Sequence, residues 1–128
     1  MAANRKILWV DDDPDITEAG QVMLQDEGFD VSTASSAEEG KQKASEDKPD
    51  LIIMDVIMGG EHGFNAVEDL KSDLALADIP VIVFSGVTHR WKETTATRQD
   101  GLMTEADDFV DKENGFEALL EVIRAKLG

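Results

Sequence analysis

The stretch Ile7-Leu8-Trp9-Val10-Asp11-Asp12-Asp13-Pro14 sets four apolar residues directly against three acids and a proline. An apolar run of that length, bounded by charge, reads as a strand covered on both faces. Asp13 and Pro14 read as the N-cap and first position of a helix. The same grammar recurs along the chain. Leu51-Ile52-Ile53-Met54 ends on Asp55, Val81-Ile82-Val83-Phe84 on Ser85, and Asp108-Phe109-Val110-Asp111 on Lys112. In an open parallel α/β sheet, ligands bind just outside the carboxyl ends of the strands. Carboxylates gathered there repel one another unless a cation or a proton intervenes. The pattern therefore predicts a divalent-metal site with a hydroxyl and an ammonium group beside it.

Working outward, short apolar runs alternate with helical periodicity. The first strand is Lys6–Val10. A helix then follows with Ile16, Ala19 and Met23 on its apolar face and Gly28 at its end. Asp30–Ala34 is a second, more polar strand, expected nearer an edge. Ser36-Ala37-Glu38-Glu39 is a capping box opening a second helix, which Lys48-Pro49-Asp50 stops. After the third strand, Leu51–Met54, Gly59, Gly60 and Gly63 predict a flexible loop. A third helix is expected to show Phe64, Val67, Leu70 and Leu74 on one face, broken by Asp78-Ile79-Pro80. The fourth strand is read as residues 81–84 and the fifth as 108–110. Residues 86–106 are polar and predict an irregular or shortened fourth helix. Asn114 is the expected cap of a last helix, with Glu117 at N3 and Phe116, Leu119, Leu120, Ile123 and Leu127 as its buried stripe.

This is an α/β, (βα)5 pattern: a doubly wound, parallel five-stranded sheet with right-handed crossovers. A flavodoxin-like strand order, 2-1-3-4-5, is the simplest arrangement. Strands one and three then flank the point where the order reverses, and their ends supply Asp11, Asp12 and Asp55. The length of 128 residues suits one domain spanning 1–128. A net charge of −16 argues against a nucleic-acid surface, and the absence of cysteine excludes disulfides and thiolate metal sites. No apolar run is long enough to span a membrane, and the first residues lack a signal-peptide pattern, so a cytoplasmic location is expected.

The ordered set of acidic pair, aspartate, hydroxyl residue and lysine at successive strand ends resembles the receiver domain of two-component response regulators. The resemblance covers essentially the whole chain. It implies that Asp55 is the phosphoacceptor, accepting a phosphoryl group from a sensor histidine kinase or a histidine phosphotransfer protein. It implies Mg²⁺ held by Asp12 directly, by Asp11 through water, by Asp55 and by the backbone carbonyl of Ile57. Lys112 would pair with Asp55 at rest and with a phosphoryl oxygen after transfer. Ser85 would donate to the phosphoryl group, and Phe109 matches the switch aromatic. Phosphorylation would then alter the face built from the fourth helix, fifth strand and fifth helix, which controls an output protein of unknown identity. The resemblance leaves room for dimerisation on phosphorylation. It implies self-catalysed transfer and hydrolysis, not turnover of an external metabolite. The chain would be a single-domain regulator or a receiver cut from a larger protein.

Asp13 is assigned to capping the first helix rather than to the metal. Two departures from the family pattern stand out. Met58-Gly59-Gly60 replaces the usual proline after the acceptor, and Glu113 replaces the proline after Lys112, so a trans Lys112–Glu113 bond is expected. The 86–106 stretch is also longer than typical; with Arg90 and Trp91 it reads as a specialised partner surface. His62 and His89 read as ordinary loop residues. Two alternatives compete with the leading reading. One is a degenerate receiver that binds partners without phosphorylation. The other is a haloacid-dehalogenase-type phosphatase, in which Asp11 of the Asp-x-Asp sequence would carry the phosphate.

Overall fold

The computed structural model describes residues 5–55, 57–58, 61–62, 67, 70–85 and 107–127. Its central sheet contains five strands: β1 (Lys6–Val10), β2 (Asp30–Ala34), β3 (Leu51–Met54), β4 (Val81–Ser85) and β5 (Asp108–Asp111). They lie in the order β2-β1-β3-β4-β5, and every neighbouring pair is parallel. This is the expected 2-1-3-4-5 sheet. The polar strand β2 lies at one edge, as expected, and β5 at the other.

Side chains alternate between two cores because successive strand residues point to opposite faces. Leu8, Val10, Ala34, Ile52, Met54, Val81 and Val83 face Ala44 of α2 (Ala37–Glu46) and the helical residues Val67 and Leu70. Ile7, Trp9, Val31, Leu51, Ile53, Ile82, Phe84 and Val110 face Leu24 of α1 (Pro14–Asp26) and Leu119 and Ile123 of the last helix, Gly115–Leu127. Helices therefore cover both faces, as uniformly apolar central strands require.

Close approach of α1 depends on a missing side chain. A Cβ on Gly20 would lie 2.2 Å from Cζ3 of Trp9, a rigid and fully buried ring. Gly40 does the same for α2, where a Cβ would stand 2.7 Å from Val10 Cγ2. Helix ends follow local chemistry. Asp13 Oδ1 accepts from the N–H groups of Asp15 and Ile16, and Gly28 takes φ 98° just past the end of α1.

Several local expectations need correction. Ala19 is exposed, so the inner face of α1 runs through Gly20 and Leu24 instead. The capping box at α2 is shifted on one side: Ser36 Oγ accepts from Glu39 N–H, but Glu39 Oε1 accepts from Ser35 N–H and Oγ, one residue further out. Leu74 is 93% exposed because residues 73–78 turn away before it can complete a helical stripe. Leu76 and Ile79 fill the core in its place. Strands four and five each run one residue further than expected, because Ser85 pairs with Asp111. Asn114 does not cap the last helix. It ends a 3₁₀ turn, Lys112–Asn114, whose cap is Asp111. Within the expected loop after Asp55, Ile57–Met58 and Glu61–His62 pair as a short antiparallel ribbon. The expectations for residues 86–106, including His89, Arg90 and Trp91, and for Gly59, Gly60, Gly63 and Phe64 lie outside the described residues.

One acid ties the start of β4 to its surroundings. Asp107 Oδ2 accepts from Lys71 Nζ at 2.8 Å and from Val81 N–H at 2.7 Å. Burial works to raise its pKa, but the Lys71 ammonium and the Val81 N–H outweigh burial and hold it below the ordinary 3.8. Its stabilising contribution is present above the unfolded value and is lost as pH falls through the lower folded value.

Two outcomes follow. Gly20→Ala should destabilise by about 2 kcal/mol, since overpacking against the indole outweighs the better helix propensity of alanine. Adding Trp9→Leu should recover part of that loss in urea unfolding. Asp107→Asn should cost about 1 kcal/mol at neutral pH, the value of charged hydrogen bonds reduced by partial exposure. The gap from wild type should close as pH is lowered below 3.8. A gap unchanged in acid would assign the loss to shape rather than charge.

Candidate functional site

Backbone pairing brings the acids together before any side chain is considered. Asp11 N–H donates to Ala34 O, and Asp55 N–H donates to Val10 O at 2.9 Å, so the residues just past β1 and β3 sit side by side. Carboxylate oxygens of Asp11, Asp12 and Asp55 all lie within 4.8 Å of one another. Asp11 is 2% exposed and Asp55 5%, whereas Asp12 faces solvent. This is the only such cluster of potential metal ligands among the described residues.

Lys112 enters from the turn after β5. Its Nζ donates to Asp55 Oδ2 at 2.9 Å and lies 3.1 Å from Asp11 Oδ2. The second approach is close enough for an ion pair but misaligned for a hydrogen bond, and Asp11 Oδ2 is a buried oxygen with no hydrogen-bond donor. The other Asp11 oxygen, Oδ1, accepts from Asp13 N–H at 3.0 Å. Burial pushes the Asp11 carboxyl above its ordinary value and the neighbouring Asp55 adds to that; the Asp13 N–H and Lys112 only partly offset them. For Lys112, burial alone would lower the pKa, but Asp55 and Asp11 outweigh it and hold the ammonium above its ordinary value.

The donor set fits Mg²⁺. It offers only oxygens, it combines two buried carboxylates with an exposed one, and one buried oxygen lacks a donor. Mg²⁺ favours hard oxygen ligands and keeps several waters, so few protein groups are needed.

The remaining expected residues are placed as follows. Ser85 ends β4 opposite Asp111, immediately before Lys112, which puts its backbone at the same end of the sheet. Ile57 lies in the ribbon two residues beyond Asp55. Phe109 is half-buried on β5 and packs against the core on the α2 side of the sheet. The Lys112–Glu113 bond is trans, as expected, and there is no cis peptide among the described residues. Asp13 caps α1, again as expected.

Sequence reading missed three supports. The Asp13 N–H contact to Asp11 is one, and the sharing of Lys112 by both buried acids is another. The third is an aromatic cluster beneath the site. Trp9 meets Phe84 and Phe116 edge-on at 5.8 and 5.9 Å, and Phe84 lies 6.0 Å from Phe116. A usable signal existed: Trp9 lies two residues before Asp11, and Phe84 directly before Ser85, so both aromatics abut site residues.

Comparison with known proteins agrees with this geometry. The response regulator receiver domain model matches residues 7–124. Protein PilH of Pseudomonas aeruginosa is 35% identical over 122 residues, covering 95% of this chain and 97% of PilH. Several other curated relatives are matched over only about half of their own length. Among solved structures, the Vibrio cholerae chemotaxis protein CheY4 is 29% identical with a TM-score of 0.84, covering 98% of this chain and all of that one. The Thermotoga maritima response regulator TrrA, in complex with Mg(2+)-BeF, is 28% identical with a TM-score of 0.80, covering 96% of this chain and 99% of that one. TrrA has also been captured in complex with the histidine kinase ThkA. By family model, by full-length similarity to PilH and by fold, this chain belongs to the response regulator receiver domain family.

Proposed function

We propose that residues 1–128 act as one receiver domain, accepting a phosphoryl group on Asp55 from the phosphohistidine of a sensor histidine kinase or phosphotransfer protein. The observation that carries this reading is the convergence of Asp11, Asp12 and Asp55 within 4.8 Å, with Lys112 donating to Asp55. The complexes of TrrA with Mg(2+)-BeF and with ThkA support the same reading by analogy.

In this mechanism Asp12, Asp55 and the Ile57 carbonyl would hold Mg²⁺, with Asp11 acting through water. When bound, the ion neutralises charge on the transferring phosphoryl group. An Asp55 oxygen attacks phosphorus as the P–N bond to histidine breaks, and the histidine leaves as imidazole. Lys112 moves from the Asp55 carboxylate to a phosphoryl oxygen, where its ammonium stabilises the charge. Ser85 donates a hydrogen bond from its hydroxyl to the same group, and Phe109 turns toward the space that Ser85 vacates. The face formed by the fourth helix, β5 and the last helix then changes its affinity for an output protein. Water later cleaves the acyl phosphate, so the domain resets itself and turns over no external metabolite. Among the described residues no helix is long and apolar enough to cross a membrane. We place this signalling step in the cytoplasm, with protein partners rather than nucleic acid, given the net charge of −16.

Incubation with acetyl phosphate and MgCl₂ should add about 80 Da to the intact mass, the increment of one phosphoryl group. The adduct should be absent in EDTA and in Asp55→Asn. Adduct retained in Asp55→Asn but lost in Asp11→Asn would support the phosphatase chemistry instead. No adduct in the wild type would support a phosphorylation-independent binding module.

Asp11→Asn should stabilise the metal-free protein, because burial and the neighbouring Asp55 both disfavour the Asp11 charge. We expect about 1 kcal/mol, or roughly 3–6 °C in Tm for a domain of this size. MgCl₂ should raise the Tm of the wild type but not that of the variant. A lower Tm for Asp11→Asn in EDTA would show that Lys112 already compensates both acids fully.

A further inference from the structure

We propose that Asp13 is a positioning residue for the metal site: its side chain caps α1 and thereby aims its own backbone N–H at Asp11. This inference rests on the metal-binding reading above and extends it to a residue that contributes no metal ligand. Asp13 Oδ1 accepts from Asp15 N–H at 3.0 Å and from Ile16 N–H at 3.4 Å. Its carbonyl accepts from Thr17 N–H at 3.1 Å and from the hydroxyl of buried Thr17 at 3.3 Å. Asp13 is thus tied to the first turn of α1 through both its side chain and its carbonyl. Its third polar group, the N–H, points the other way and donates to Asp11 Oδ1 at 3.0 Å.

That contact fixes which Asp11 oxygen is occupied. With Oδ1 committed to Asp13, Oδ2 is the oxygen left facing Lys112, and it is buried with no donor of its own. Backbone φ −94° and ψ 103° at Asp13 are extended, the conformation that the cap hydrogen bonds select over continuation of the helix. Without the side-chain cap, Asp13 is held only through its carbonyl, by Thr17, and by the extended bias that Pro14 imposes, and the hydrogen bond to Asp11 loses part of its aim. Ligating carboxylates depend on such outer hydrogen bonds, whose removal typically weakens metal affinity by about 10–100-fold.

The charge of Asp13 and its capping are separable. Asn and Ser cap a helix about as well as Asp without the charge, and Gly tolerates the N-cap position while offering no side-chain acceptor. The test is calorimetric titration of MgCl₂ into the full chain, with thermal unfolding in EDTA as a check on folding. Asp13→Asn and Asp13→Ser should keep Mg²⁺ affinity within about threefold of wild type. Asp13→Gly and Asp13→Ala should weaken it about tenfold or more. Asp13→Gly should do so with little change in Tm, which separates aiming from mere stability. The Mg²⁺ concentration needed for half-maximal phosphorylation by acetyl phosphate should shift by the same factor. If Asn and Ser weaken binding as much as Gly, the charge matters and the positioning role is wrong. If Gly and Ala bind as wild type does, the role is also wrong. Failure of the wild type to bind Mg²⁺ at all would instead remove the metal-binding reading itself.

Discussion

Two carboxylates, Asp11 and Asp55, are buried at the end of the sheet and share one ammonium from Lys112. Among the described residues Lys112 is the ammonium that faces both anions, and one Asp11 oxygen has no hydrogen-bond donor. In an ordinary core such a cluster would be replaced by apolar residues at no loss. Here the surrounding sheet holds it together. β1 and β3 are hydrogen-bonded neighbours, so the residues that follow them cannot separate. A site that holds negative charge close together in low dielectric is primed for a divalent cation, and the exposed Asp12 supplies an approach from solvent.

The sheet can impose this only because its core is rigid. The central strands are almost entirely inaccessible, and each face is closed by helices that approach closely where Gly20 and Gly40 leave room. Trp9 fills the space over Gly20 and meets Phe84 and Phe116, joining β1, β4 and the last helix in one aromatic cluster. Each of those rings lies within four residues of a site position: Trp9 of Asp11, Phe84 of Ser85 and Phe116 of Lys112. Dense packing resists small displacements. The cluster therefore acts as the common footing for two strand ends and the start of the last helix.

The sequence made some of this legible and hid the rest for definable reasons. Strands were readable because Ile7–Val10 and Leu51–Met54 are apolar on both faces, which leaves few alternatives to a covered parallel sheet. Site residues were readable because the chemistry is written where each apolar run stops. Leu74 was misread because periodicity counts residues on a continuing helix, and nothing local announces that the turn at residue 73 ends it. Asn114 was misread because a 3₁₀ turn capped by Asp111 takes it up as its last residue, and where that turn forms is settled by where β5 ends. The dual pairing of Lys112 was hidden because it depends on the relative positions of three strand ends, a tertiary fact. Glu39 bonding to Ser35 rather than Ser36 is the same problem on a smaller scale, since neighbouring residues offer chemically similar partners.

The turn after β5 shows how this chain manages without the proline that the resemblance implied. Lys112 must hold its ammonium against two acids, so the backbone on either side of it must be fixed. Here Asp111 Oδ1 accepts from Glu113 N–H at 2.9 Å and opens a 3₁₀ turn over Lys112–Asn114. Gly115 leaves that turn at φ 82°, a conformation open to glycine at no steric cost, and the last helix starts there. Phe116 then docks on Trp9 and Phe84. Lys112 thus sits in a capped turn that is followed by a half-buried aromatic anchor. A hydrogen bond and a glycine do the work of a ring constraint, and a trans peptide suffices because the strand end and the aromatic cluster already set where the chain must go.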